Sequence, residues 1–179
     1  MGVNVLNGND PTDAVSTVTI SENKLHLGAY FNMDYYQEVF SASGVILWGI
    51  ETNDKIMAIK PTHVNAPESK QVMIEFYEAP AFTGGAEQAI QNRNFMSTYQ
   101  TQAKMWIGVT VTDDGTLKRR FRLMGVVSLG NRRIGGALAP EAPYILKPHT
   151  KYLVKVTNED TVSTRITLGS EFYERRRGC

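Results

Sequence analysis

Apolar side chains recur at every second position along much of this chain. Val72, Ile74 and Phe76 alternate with more polar residues, and Val154 and Val156 continue the same rhythm near the other end. A period of two belongs to an extended strand with one face on a core, whereas an amphipathic helix has a period of 3.6. Gly, Pro, Asn and Asp punctuate these runs. The pattern predicts an all-β protein, an antiparallel β-sandwich of jelly-roll or Greek-key type.

The individual strands follow from the same alternation. One continuous strand is predicted from Met105 to Val111, and a turn follows it at Asp114-Gly115. Residues 86–94 contain helix-forming side chains but only one large apolar anchor, Ile90, and are predicted to form a loop with one helical turn. The other predicted strands are residues 24–30, 45–50, 72–77, 152–157 and 166–173.

A second pattern predicts how two sheets are connected. Leu146, Pro148 and Tyr152 have the spacing of a tyrosine corner, in which a tyrosine hydroxyl bonds to the backbone a few residues upstream. Pro148 fixes its own φ and favours a bend. Leu146 can fill the core below the bend, and the buried ring of Tyr152 obtains a partner for its hydroxyl. This motif favours a Greek-key sandwich and carries no information on activity.

Length and charge limit the possibilities further. The chain has 179 residues, with 19 Lys and Arg against 18 Asp and Glu. Such a balance argues against nucleic-acid binding as the main function. No secretory signal or membrane span is expected, and a single cysteine, Cys179, cannot form an internal disulfide. We expect an extended N-terminal arm over residues 1–20, a sandwich domain over residues 21–174, and a basic tail over residues 175–179.

Catalytic and metal-binding patterns are weak. His26, His63 and His149 are far apart in the sequence, so neither a metal site nor a cofactor is predicted. Glutamates on neighbouring strands could supply the acid-base pair of a glycoside hydrolase. The simpler interpretation places them on outward strand faces, where they keep the sheets soluble. These glutamates are Glu75, Glu78, Glu171 and Glu174, the ends of a repeated Glu-Phe-Tyr-Glu motif. No enzyme activity is predicted.

Basic clusters are the remaining candidates for a site. Arginine is favoured at protein interfaces because its planar guanidinium pairs with carboxylates through two hydrogen bonds. A protein interface is therefore the preferred interpretation, and a merely solvated face is the alternative. The clusters are Lys118, Arg119, Arg120 and Arg122; Arg132 and Arg133; and Arg175, Arg176 and Arg177.

The order of several short motifs from Gln71 to Glu174 resembles tailed-bacteriophage virion proteins of the capsid-decoration or cement type. Where that group has Tyr-Asn-Arg-Asn-Arg, this chain reads Gln-Asn-Arg-Asn-Phe over residues 91–95. The motifs, in order, are Tyr77-Glu78-Ala79-Pro80, Gln91-Asn92-Arg93-Asn94, Val109 to Thr112, Gly135-Gly136, Tyr144 to Tyr152, Thr157-Asn158 and Phe172-Tyr173-Glu174.

This resemblance implies a non-enzymatic protein, made in the host cytoplasm, that binds the outer capsid surface of the virion and stabilises the head. The major capsid protein would be its partner, and a homotrimer would match local three-fold positions of an icosahedral shell. The expected contact elements are Val3 to Val15, the Gln91 to Phe95 loop with Asn92, Arg93 and Asn94, and the arginine tail. The alternative is a carbohydrate-binding or adhesion module of a virion, which would contact surface glycans or a head fibre through exposed tryptophans, Trp48 and Trp106.

Overall fold

A computed structural model describes residues 2–4, 17–19, 29–60, 63–65, 71–124 and 143–175 of the chain. This part of the chain is all-β, and none of it is helical. The strands are β1 (Gly2–Asn4), β2 (Thr17–Thr19), β3 (Tyr30–Phe40), β4 (Val45–Glu51), β5 (Ile56–Ile59), β6 (His63–Asn65), β7 (Gln71–Glu78), β8 (Ala81–Thr83), β9 (Ala86–Glu87), β10 (Gln91–Asn92), β11 (Lys104–Ile107), β12 (Thr110–Asp113), β13 (Thr116–Met124), β14 (Tyr144–Leu146), β15 (Lys151–Asn158) and β16 (Thr164–Arg175).

Two six-stranded antiparallel sheets pack face to face, so the predicted β-sandwich is confirmed. Sheet I has the order β10-β3-β16-β5-β14, and β6 also pairs with β16. Sheet II has the order β13-β7-β15-β4-β11-β9. Strands β9 and β10 therefore lie at one lateral edge of the sandwich, and β13 and β14 lie at the opposite edge.

The core lies between the two sheets and follows the alternation in the sequence. Sheet I contributes Phe31, Ile166 and Phe172, while sheet II contributes Trp48 and Val154, all at most 2% exposed. Alternate residues of a strand point to opposite faces, which is why each of these strands places one set of side chains inside. Burial of each large apolar side chain contributes about 1.5–3 kcal/mol.

The predicted single strand from Met105 to Val111 is wrong, because the chain leaves sheet II at Gly108. Gly108 has a φ of 73°, a conformation that favours glycine. Strand β11 stays in sheet II, whereas β12 pairs with β8 in a separate two-stranded sheet. This small sheet covers part of the outer face of sheet II, where Val109 packs with Phe82 and Leu153 in a second apolar cluster.

The bend at Leu146, Pro148 and Tyr152 connects the two sheets. The Lys147 backbone N–H donates to the Tyr152 hydroxyl oxygen over 2.8 Å, and Leu146 is 2% exposed in the core. The buried Thr52 also holds the bend, since its hydroxyl donates to the Lys147 carbonyl over 2.7 Å. The hydroxyl of a core tyrosine is thereby satisfied without a water molecule.

Residues 86–94 contain two short strands instead of the predicted helical turn. Strand β9 pairs with β11 of sheet II, and β10 pairs with β3 of sheet I. The backbone N–H and C=O groups that would bond to each other in a helical turn bond instead to strands of two different sheets. In the N-terminal region, β1 pairs with β2. Apart from the residues of β1, the predicted contact arm, Val3 to Val15, lies outside the described residues.

Candidate functional site

The most prominent surface feature is an apolar turn that follows β10 at one lateral edge of the sandwich. Phe95 and Met96 form its tip and are 91% and 96% exposed. The flanking residues Asn92, Arg93 and Asn94 are those that the sequence predicts as an interface. Two adjacent large apolar side chains are seldom both so exposed within a polar segment. We call Asn92 to Met96 the apolar turn.

Local hydrogen bonds hold the backbone of the apolar turn in place. The Asn94 N–H donates to the Asn92 side-chain oxygen over 2.9 Å, and the Met96 N–H donates to the Asn94 side-chain oxygen over 3.1 Å. The Ser97 N–H donates to the Asn94 carbonyl over 2.9 Å. Asparagine side chains stabilise turns by such bonds two residues along. The two asparagines therefore preorganise the exposed pair.

Arg93 directs its side chain back onto sheet I rather than toward the tip. Its backbone N–H donates to the Tyr30 carbonyl over 2.9 Å, and its guanidinium lies 5.5 Å from the centre of the Tyr30 ring. The guanidinium also pairs with Glu171. The Tyr30 hydroxyl donates to the same carboxylate over 2.6 Å. Arg93 thus fastens the start of the turn to the sandwich.

A buried carboxylate anchors the other end of the same loop. Glu174 in β16 points inward and is 3% exposed. It accepts hydrogen bonds from the Tyr99 hydroxyl over 2.7 Å, from Thr101 over 2.6 Å and from the Asn53 amide over 2.7 Å. The Lys55 ammonium lies 3.5 Å from it. The prediction that all four glutamates of the repeated motif face outward is therefore wrong for Glu174, and also for Glu78, which lies opposite Tyr152 on the inward face of β7.

The groups around Glu174 shift the pKa values of Lys55 and Tyr99. Burial opposes the positive charge of Lys55, but the hydrogen bond to Tyr99 and the attraction of Glu174 outweigh it, so the pKa of the ammonium lies above its usual 10.5. Burial raises the pKa of the Tyr99 hydroxyl above 10.0, and the neighbouring Glu174 carboxylate raises it further. Tyr99 also packs on Phe31, with ring centres 5.7 Å apart. The cluster joins the loop to the core through charge and through packing.

The basic cluster on β13 is largely paired within the chain. Arg120 pairs with Glu75 over 2.6 Å, and Arg122 pairs with Glu159 over 2.8 Å. Lys118 lies 2.5 Å from the Glu78 carboxylate. Such pairs leave less positive charge for an outside partner than the sequence alone indicates. Arg132, Arg133, Arg176 and Arg177 lie outside the described residues, and Arg175 ends β16.

The carboxylates considered as a catalytic pair do not meet. Glu75 lies on the outer face of sheet II beside Arg120, and Glu171 lies on the outer face of sheet I beside Arg93. They face opposite sides of the sandwich, whereas a glycoside hydrolase needs its two carboxylates about 5–10 Å apart. Within the described ranges, no group of three side chains could hold a metal ion. In those ranges no helix is long and apolar enough to cross a membrane.

Of the two tryptophans considered for sugar binding, one is buried and the other is partly buried. Trp48 is fully buried in the main core. Trp106 is half-buried on the outer face of sheet II and packs edge-on against Phe82, with ring centres 6.0 Å apart. A sugar-binding platform needs an exposed ring face, which Trp48 does not have.

Sequence reasoning located the apolar turn but missed two of its features. Phe95 was assigned only as the end of the loop, although Phe95 and Met96 are the side chains that reach solvent. Glu174 lies three residues after Glu171, and an odd spacing along a strand places two side chains on opposite faces. That spacing is the signal that could have identified a buried glutamate.

The fold and this loop define an all-β sandwich protein with a preorganised apolar surface turn. Comparison with protein-family models, curated proteins and solved structures finds no match for the chain.

Proposed function

We propose that this protein is a non-enzymatic structural subunit that attaches to other proteins, and that its setting is the outer surface of a tailed-phage capsid. The observation that carries the proposal is the apolar turn, with Phe95 and Met96 at 91% and 96% exposure on a hydrogen-bonded backbone. Solvent-exposed apolar side chains on a backbone held by hydrogen bonds are suited to act as interface anchors.

The energy available from such anchors is substantial. Burial of one Phe or Met side chain against a partner contributes about 1.5–3 kcal/mol, so the pair contributes about 3–6 kcal/mol before the cost of association. Because Asn92 and Asn94 brace the backbone of the turn, binding costs little backbone entropy, and the entropy lost is mainly that of the two side chains. A subunit with several such contacts binds a repetitive lattice tightly through its effective concentration at neighbouring sites.

The capsid setting follows from the resemblance of residues 71–174 to capsid-decoration proteins. A protein that reinforces a shell needs a rigid body and surfaces for protein contacts, and it needs no catalytic centre. The sandwich supplies the rigid body, and the loop between β9 and β11 supplies one contact surface. The major capsid protein is the proposed partner, and the virion surface is the proposed location.

The test is co-sedimentation of the purified protein with phage heads that lack it. We expect saturable binding that persists over a range of salt concentrations, because apolar contacts are not screened. Substitution of both anchors, Phe95→Ser with Met96→Ser, should weaken binding. The matched control is Val162→Ser, which removes an exposed apolar side chain in the loop between β15 and β16. Absence of co-sedimentation at every salt concentration would contradict the capsid proposal.

A further inference from the structure

The apolar turn ends on an exposed thioether. Met96 is 96% exposed, whereas Met33, Met57 and Met105 are at most 1% exposed and Met73 is half-buried. An oxidant must reach the sulfur to transfer oxygen to it, and a close-packed core excludes the oxidant. We propose that Met96 is a site of selective, reversible oxidation by hydroperoxides, and that the sulfoxide weakens the attachment of the apolar turn. The inference adds a control to the proposed contact and so rests on the proposed function.

The oxidation needs only a hydroperoxide as its second reactant. The Met96 sulfur attacks the terminal peroxide oxygen, so an S–O bond forms and the O–O bond breaks. The proton of that oxygen passes to the leaving oxygen, which departs as water or as an alcohol. The thioether is oxidised by two electrons and the peroxide is reduced by two. Methionine sulfoxide reductases reverse the change, so the modified state is not permanent.

Oxidation at this position changes the polarity of the tip without disturbing the fold. The Met96 N–H donates to the Asn94 side-chain oxygen over 3.1 Å, and the Ser97 N–H donates to the Asn94 carbonyl over 2.9 Å. These bonds use the backbone and the asparagine side chain, and neither of them uses the thioether. The turn therefore keeps its shape when the sulfur gains an oxygen. The same reaction at Met33 or Met105 would place a polar group in the apolar core and destabilise the protein.

The sulfoxide removes one of the two anchors at the tip. Its S–O bond is strongly polar, and burial of that oxygen against an apolar partner without a hydrogen-bond donor is unfavourable. Loss of the burial energy of one Met side chain corresponds to a decrease in affinity of about tenfold or more. Phe95 stays apolar, so the oxidised turn keeps part of its adhesion.

Peptide mapping by mass spectrometry tests the selectivity of the site. The folded protein is treated with dilute hydrogen peroxide, and the sulfoxide at each methionine is followed with time. We expect Met96 to react about tenfold or more faster than Met33, Met57 and Met105, because only its sulfur is open to solvent among these four. In urea-unfolded protein the four rates should converge. Equal rates in the folded protein would overturn the proposal.

Adhesion before and after oxidation tests the consequence. The two measurements are retention on a phenyl-substituted hydrophobic matrix and co-sedimentation with phage heads that lack the protein. We expect the peroxide-treated natural sequence to elute earlier and to bind heads about tenfold more weakly, and methionine sulfoxide reductases should restore both. The matched control is Met96→Leu, which keeps an apolar tip of similar volume without an oxidisable sulfur, so peroxide should leave its elution and binding unchanged.

The outcomes separate this inference from the proposed function. Unchanged elution of the oxidised natural sequence, or an equal loss of adhesion in Met96→Leu, would overturn the inference. Oxidised protein that binds heads as tightly as before would refute the inference and leave the proposed function standing. Protein that shows the expected elution shift and its reversal but binds no heads in either state would support the oxidation site and refute the capsid proposal alone.

Discussion

The buried carboxylate of Glu174 offers the sharpest test of how the candidate loop is held. Glu174→Gln keeps the size and shape of the side chain but removes its charge. One oxygen becomes an amide nitrogen, which cannot accept a hydrogen bond. The Tyr99 hydroxyl, the Thr101 hydroxyl and the Asn53 amide then compete for a single acceptor, and Lys55 loses the charge that lies 3.5 Å from it.

The magnitude follows from these contacts. A hydrogen bond to a charged group contributes about 1.5–3 kcal/mol, against about 0.5–1.5 kcal/mol for a neutral one. Removal of one partner of a buried ion pair costs about 3–5 kcal/mol, and this is reduced here because Lys55 keeps some contact with water. We therefore expect Glu174→Gln to lower the free energy of unfolding by about 2–4 kcal/mol. For a chain of this length, that lowers the melting temperature by about 4–16 °C.

The assay is urea denaturation combined with amide hydrogen exchange over residues 91–103. The matched control is Glu159→Gln, which removes a more exposed ion pair with Arg122 outside the loop; such pairs contribute about 1 kcal/mol or less. We expect faster exchange in the loop of Glu174→Gln and no such change in the control. If the two variants lose the same stability, or the loop keeps its protection, the anchoring role of Glu174 is wrong.

Three further changes have definite expected outcomes. Tyr152→Phe leaves the Lys147 N–H without its acceptor and should cost about 1 kcal/mol, measured by urea denaturation; no loss would mean that water replaces the bond fully. Gly115→Ala should cost about 1–3 kcal/mol, because φ is 79° and a Cβ would lie 2.4 Å from the Glu78 carbonyl oxygen; an unchanged melting curve would contradict this strain. Hydrogen bonds from Lys118 and Lys147 hold the pKa of Glu78 below its usual 4.5, so the stability it contributes is present above pH 4.5 and is lost as the pH falls through the lowered pKa. Melting curves from pH 7 to pH 3 should therefore show a smaller loss for Glu78→Gln than for the natural sequence, and parallel losses would refute the assignment.

The alternation of apolar residues predicted part of the sandwich. Strands β4, β7, β15 and β16 lie where the pattern places them, and the inward faces of β7, β15 and β16 are the predicted ones. The inner strands β3 and β5 of sheet I were not predicted, and of the predicted strand over residues 24–30 only Ala29 and Tyr30 lie within the described residues. Strand β13 was interpreted only as a basic cluster, because its four cations hide the strand pattern. Charged residues are common on edge strands, where they discourage pairing with other chains.

The sequence indicates where the loop lies but not the contacts that its side chains make. The sequence indicates a polar loop around Asn92 to Asn94, since these residue types favour turns. It does not indicate that Arg93 forms an ion pair with Glu171 or that the Phe95 side chain is exposed to solvent. Those features depend on which strands lie beside the loop, and local periodicity carries no information on that.

The sequence by itself determined the fold class, because the two-residue period of a strand is a local steric property of the backbone and its side chains. It also determined the bend at Leu146, Pro148 and Tyr152, whose partners are only a few residues apart. Only the tertiary structure decided that Glu174 would meet Tyr99, a residue 75 positions earlier in the chain. The same holds for the placement of the apolar turn at the edge of the sandwich where β9 and β10 lie. Strand order results from the free energy of the whole packed sandwich, in which each pairing depends on all the others.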